Sequence, residues 1–194
     1  YHAMMKNDVG YLRLTGFTES ASREVKEALT DLKAKGAKSI VLDLRGNGGG
    51  LLTESLNIVN FFVNKGTPVV NTKGKIKDWD KSYKALNNPI DTEIPLVVLI
   101  NGSSASASEI VSGSLQDNDR AVIMGSRSFG KGLVQNVRPL SYNSKLKITV
   151  AKYYTPSGRC IQKLDYSHKN QDGEAEEIPD SLITEFKTLN SKRP

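Results

Sequence analysis

Between Val9 and Thr15 the chain alternates as Val-Gly-Tyr-Leu-Arg-Leu-Thr, a two-residue period that predicts a strand. The period lengthens from Ser20 to Lys35, where Val25, Ala28, Leu29 and Leu32 fall on one face of a helix and Gly36 follows as its C-cap. Ser39–Leu44 reads Ser-Ile-Val-Leu-Asp-Leu, a buried-strand pattern that runs into a glycine-rich turn, and a second helix is expected over Leu51–Val63. A strand, a helical crossover, a second strand and a further helix define an α/β arrangement.

The stretch Asn64–Thr92 is polar and lysine-rich, with a strand expected over Pro68–Thr72 and a loop or hairpin beyond it. The strand-to-helix pattern then repeats. Pro95–Asn101 is a second buried strand, Gly102–Ser108 a turn of small residues, and Glu109–Gln116 a helix. Ala121–Gly125, Leu133–Pro139 and Leu146–Tyr154 read as strands. With neither an internal repeat nor a linker, residues 1–194 are expected to form one domain.

Composition narrows the classes of function. Hydrophobic residues at 38% and 16 glycines place the 194-residue chain among globular proteins, which excludes a fibrous or low-complexity chain. The apolar run Leu96–Ile100 is far short of the roughly 20 residues that span a bilayer, so membrane association is expected only through segments outside this sequence. Tyr1–Asp8 has no basic region followed by an apolar stretch, so any export signal also lies outside it. The net charge of +6 is unevenly spread: Lys65–Lys84 holds six lysines against Asp78 and Asp80, whereas acids prevail in Lys163–Lys187. Neither zinc-finger spacing nor an RNA-binding aromatic motif accompanies the basic stretch, so it reads as a solvated loop and not as a nucleic-acid site. Cys160 is alone, which excludes an internal disulfide and a multi-cysteine metal site. The two histidines, His2 and His168, lie in places unsuited to a catalytic triad.

Two strand-to-helix turns remain as carriers of chemistry: Arg45-Gly-Asn-Gly-Gly-Gly50 and Gly102-Ser-Ser-Ala-Ser-Ala-Ser-Glu109. The first lacks the Gly-Lys-Ser/Thr of a phosphate loop, and Leu51 replaces the third glycine of a dinucleotide fingerprint. Its N–H groups equally suit a carbonyl oxygen that becomes an oxyanion. The second turn offers serine nucleophiles without a histidine base, a role that a desolvated lysine can fill. Lys131, between two glycines and ahead of an apolar strand, is the candidate, with Gln135 able to hold its amine by a hydrogen bond. Against this stands a structural reading in which Ser106-Ala-Ser-Glu109 is a capping box and Lys131 an exposed turn residue. Ser128-Phe-Gly-Lys131 also has Ser-x-x-Lys spacing, but Gly130 breaks the helix that motif requires.

In combination, Gly10–Thr18, Leu42–Leu52, Ser104–Ile110, Gly130–Gln135 and Tyr153–Arg159 resemble the carboxyl-terminal processing, or tail-specific, proteases of peptidase family S41. The resemblance implies a crotonase/ClpP-like α/β core of repeated β-β-α units with additional strands, and a serine endopeptidase that needs neither cofactor nor metal. By position it makes Ser106 the nucleophile, Lys131 the general base and Gln135 the residue that positions the lysine. Oxyanion donors would be the N–H of Ala107 and of a glycine in the Gly49-Gly50 pair. It further implies protein or peptide substrates, no nucleic-acid partner, and a bacterial periplasmic or cell-envelope location. Relatives usually carry a PDZ domain ahead of the segment at Gly10, so the chain is expected to be a protease core from a longer protein. The Gly-Gly-Ile-x-Pro-Asp stretch of relatives is imitated poorly by Glu177-Ile-Pro-Asp180. Two other readings compete: a peptide-binding relative without catalysis, and an acyl-CoA enzyme on the same fold.

Overall fold

In a computed structural model, residues 1–178 and 186–193 are described. Two parallel strands at the centre of the molecule fix the position of everything else. They are β3 (Ser39–Asp43) and β6 (Leu96–Ile100), paired from Ile40↔Leu96 to Asp43↔Leu99. β2 (Val9–Arg13) lies parallel to β3 on one side and β7 (Val122–Gly125) parallel to β6 on the other. β1 (His2–Met5) closes the first sheet antiparallel to β2, giving the order β1-β2-β3-β6-β7.

Three helices pack on this sheet: α1 (Ala21–Ala34), α2 (Leu52–Asn60) and α3 (Ala107–Asp117). The predicted stripe of α1 is the buried one, with Val25, Ala28, Leu29 and Leu32 against Ile40 and Leu42 of β3 in one core. Each fully buried leucine of this kind stabilises the fold by about 2 kcal/mol. α2 ends at Asn60, three residues earlier than expected; Phe62 and Val63 still reach the core from the turn beyond it, which is why the apolar pattern outlasts the helix. α3 starts at Ala107, two residues earlier than expected.

A second sheet has the order β5-β4-β9-β8, from β4 (Pro68–Gly74), β5 (Lys81–Lys84), β8 (Leu133–Pro139) and β9 (Lys145–Tyr154), all antiparallel. The expected strand over Pro68–Thr72 is β4, and the lysine-rich stretch beyond it forms the β4–β5 hairpin and not a plain solvated loop. Its lysines are tolerated because β5 is an edge strand whose residues are largely exposed. β10 (Leu164–Lys169) and β11 (Ala175–Glu177) form a small antiparallel pair. The α/β class, with its ClpP/crotonase-like core, agrees with the sequence. Pro179 and Asp180, part of the poorly imitated family stretch, lie outside the described residues.

The C-terminal end of β3 is fastened by Asp43, which is buried. It accepts hydrogen bonds from Arg45 Nε (3.0 Å) and Nη2 (2.7 Å), from the Arg45 N–H (2.9 Å) and from the Tyr11 hydroxyl (2.6 Å). Burial alone would raise its pKa, but these donors prevail and hold it at about 2, below the ordinary 3.8. A depressed carboxyl contributes stability at pH values above its ordinary pKa and loses it as the pH falls through the folded-state value. Asp43 is thus expected to contribute about 2 kcal/mol above pH 4, lost between about pH 4 and pH 2. Urea midpoints across that window should fall more steeply for the native chain than for Asp43→Asn. Parallel pH profiles for the two would refute the assignment.

Candidate active site

Because β3 and β6 are parallel neighbours, the turns that follow them meet at one end of the sheet. Asn47, fully buried, joins the two turns. Its Nδ2 donates to Leu14 O (2.9 Å), its Oδ1 accepts from the Gly49 N–H (2.9 Å), and its carbonyl accepts from the Ala105 N–H (3.0 Å) and from Ser108 Oγ (2.9 Å). Asn101 completes the junction, its Oδ1 accepting from the N–H groups of Gly46 (3.0 Å) and Ser103 (3.1 Å).

The serines of the second turn have different fates. Ser104 is buried and donates its hydroxyl to Leu44 O (2.8 Å); Ser108 is equally buried and donates to Asn47 O. Both hydroxyls serve to tie the turn to the end of β3. Ser106, between them, is half-buried and has φ 58, ψ −112, left-handed backbone on a residue that is not glycine. Such a conformation costs of order 1–3 kcal/mol and persists only where the surroundings enforce it. β6, a five-residue turn, the strained serine and α3 follow one another here.

Glu109 supplies much of that enforcement. Its carboxylate is buried and accepts four hydrogen bonds: Oε2 from the N–H of Ser106 (2.7 Å) and of Lys131 (2.9 Å), Oε1 from the N–H of Gly130 (2.6 Å) and from Ser128 Oγ (2.8 Å). One carboxylate thereby holds the backbone of the serine corner and the backbone of the lysine segment. The expected capping interaction is present, and it reaches beyond its own helix.

The glycine pair lies beside the serine. A Cβ on Gly49, at φ +98, would come within 2.8 Å of Ser106 Cβ and 3.0 Å of the Ala107 nitrogen, so only glycine allows this approach. A Cβ on Gly50, at φ +148, would meet Phe17 O at 2.3 Å. The Gly49 N–H is engaged by Asn47. Gly49 O accepts from the Phe17 N–H (3.0 Å) and Leu51 N–H donates to Phe17 O (2.8 Å), a parallel bridge that turns the Gly50 N–H away from Phe17. Among the described residues, neither the Gly50 N–H nor the Ala107 N–H has an acceptor.

Lys131 departs from expectation. It was expected to be desolvated, yet its side chain is exposed. Among the described residues its ammonium is hydrogen-bonded neither to Ser106 nor to Gln135. Gln135 is also exposed and donates instead to Thr149 Oγ1 (3.4 Å) on β9. The physical reason is that Lys131 leads into β8, which among the described residues pairs only with β9 and has its other edge uncovered. The described residues contain no cluster of His, Cys, Asp or Glu suited to a metal ion.

A corner serine, two N–H groups without an acceptor among the described residues and a lysine segment fastened to the same helix cap thus converge at one end of the sheet. Residues 8–167 match the sequence profile of peptidase family S41, and the chain belongs to that family. It is 46% identical over 162 residues to a carboxy-terminal-processing protease of Bartonella bacilliformis, covering 81% of this chain and 37% of that protein. It is 42% identical over 163 residues to a chloroplastic C-terminal processing peptidase of Tetradesmus obliquus, covering 84% of this chain and 34% of that protein. Its structure superposes on that of a photosystem II D1 C-terminal processing protease with a TM-score of 0.73 and 39% identity, covering 82% of this chain and 42% of the other. The chain thus spans little more than a third of the length of these curated relatives.

Proposed function

We propose that the chain is the protease core of a serine endopeptidase that cleaves protein substrates near their C-termini, with Ser106 as nucleophile and Lys131 as general base. The observation that carries this is the contrast among four serines in one turn: Ser104 and Ser108 are buried with their hydroxyls committed to carbonyls, Ser103 is exposed in the loop ahead of them, and Ser106 is half-buried on a strained corner at the start of α3. The N–H groups of Gly50 and Ala107 are the oxyanion donors, and Gly49 is the residue whose missing side chain lets the glycine strand approach the serine. In the reaction, neutral Lys131 takes the Ser106 proton as Oγ attacks the substrate carbonyl, and the two N–H groups stabilise the charge that forms on oxygen. The lysine then protonates the departing amine, and water releases the acyl-enzyme. A bound substrate lying along the open edge of β8 closes over Lys131. Gln135 orients the amine in that closed arrangement. One relative is bacterial and another chloroplastic; for this chain we favour the bacterial periplasm or cell envelope.

The exposure of Lys131 favours a second reading, in which the fold holds a peptide without cutting it. A fluorophosphonate separates the two, because it modifies only an activated serine. The adduct is expected on Ser106, located by peptide mass spectrometry, and retained in Ser104→Ala and Ser108→Ala samples that remain folded. A folded native chain that takes up no reagent would support the binding-only reading and overturn the first.

A further inference from the structure

From Gln135 to Thr149 every residue is exposed, so the outer part of β8 and β9 forms a two-stranded ribbon that leaves the body of the protein. The register Asn136↔Ile148 and Arg138↔Leu146 puts Leu146 and Ile148 on one face with Arg138, and Leu140 continues that side at the turn. Val137↔Lys147 and Pro139↔Lys145 share the opposite face. The turn closes through Leu140 N–H to Ser144 O (2.9 Å), with Tyr142 and Asn143 at positive φ, and it leaves Tyr142 fully exposed at the tip. Leu140 is 52% exposed, Leu146 45% and Ile148 41%, a stripe with nothing over it. Two-stranded ribbons are marginal in water without a covered apolar face.

Charge indicates what covers it. Residues 121–164 contain eight Lys and Arg and no Asp or Glu. Among the described residues, Arg138, Lys145 and Lys147 have no ion-pair partner. The ribbon protrudes, apolar at its tip and cationic along both faces, apart from the β8 edge along which a substrate is proposed to lie. It matches an anionic bilayer surface, where apolar and tyrosine side chains enter the headgroup layer and long cationic side chains reach the phosphates.

We propose that the β8–β9 ribbon docks the protein on an anionic lipid surface, with Leu140 and Tyr142 entering the interface and Arg138, Lys145 and Lys147 meeting lipid phosphates. The proposal is independent of the peptidase reading.

The test is co-sedimentation of the chain with vesicles of equal parts phosphatidylglycerol and phosphatidylcholine, beside pure phosphatidylcholine. Binding to the mixed vesicles is expected to be tighter by about tenfold or more and to weaken with added salt. Lys145→Glu/Lys147→Glu and Leu140→Ser/Tyr142→Ser are each expected to lose most of this binding, with circular dichroism and thermal midpoint retained. Absence of binding, equal binding to both vesicles, or binding unchanged in either double variant overturns the proposal. So does a Leu140→Ser/Tyr142→Ser variant that binds vesicles as the native chain does while both bind polyglutamate or RNA equally. That result would describe a general polyanion patch.

Discussion

Ser106→Ala is expected to reduce peptide-bond hydrolysis by about ten-thousandfold or more while leaving the thermal midpoint close to that of the native chain. Removal of a nucleophile from a unit of nucleophile and base eliminates covalent catalysis, and only binding and the oxyanion donors remain. The hydroxyl of Ser106 holds no carbonyl in place, unlike those of Ser104 and Ser108, so its loss leaves no buried acceptor unsatisfied. Lys131 provides the complementary test. Lys131→Ala and Lys131→Arg are both expected to match the loss in Ser106→Ala, since a guanidinium stays charged in proteins and cannot accept the proton. The check is the cleavage rate of an unfolded, dye-quenched protein substrate under single-turnover conditions. A Lys131→Arg variant with near-native turnover would mean that the residue supplies only positive charge, and the general-base role would be wrong.

Glu109→Ala is expected to lower both stability and activity, because four donors converge on its buried carboxylate. Orphaning them costs about 3–5 kcal/mol, or about 10 °C in thermal midpoint for a chain of this size. The Ser106 and Lys131 backbones would lose their common anchor, and a corner held at φ 58 would relax toward ordinary backbone. Fluorophosphonate labelling of Ser106 should then fall at least tenfold even at temperatures where the variant is folded. Glu109→Gln separates the two effects: it keeps the side-chain volume and one acceptor oxygen, so more stability than labelling rate should survive. A Glu109→Ala chain with unchanged midpoint and unchanged labelling would show that neither segment depends on the carboxylate.

The elements that the sequence revealed are those whose burial pattern is local. α1, β3 and β6 announce themselves because each buries one face, or both, along consecutive turns or residues. β1 was missed because His-Ala-Met-Met has no alternation; its strand exists through its pairing with β2, from His2↔Leu12 to Met5↔Val9. β10 and β11 are similarly polar and depend on each other. Within the candidate site, the sequence names the proposed residues but not their environment. The sequence alone left the serine of the turn open, and family spacing pointed to Ser106; the burial of its two neighbours gives an independent physical reason. Asn47 and Glu109 read as an ordinary turn residue and an ordinary cap, since their decisive partners, Leu14 and Lys131, lie 33 and 22 positions away. The exposure of Lys131 depends on which strands flank β8, information that no local pattern contains.

The pairing of β3 with β6 also decides when the serine corner exists. Ser108 and its acceptor Asn47 are 61 positions apart, and the serine corner takes shape only where the two strand ends are zipped together. A nascent or partly unfolded chain carries a serine that is chemically ordinary, without a strained corner or aligned N–H groups. On the proposed function, folding itself assembles the site, and local melting of the β3–β6 pair takes it apart.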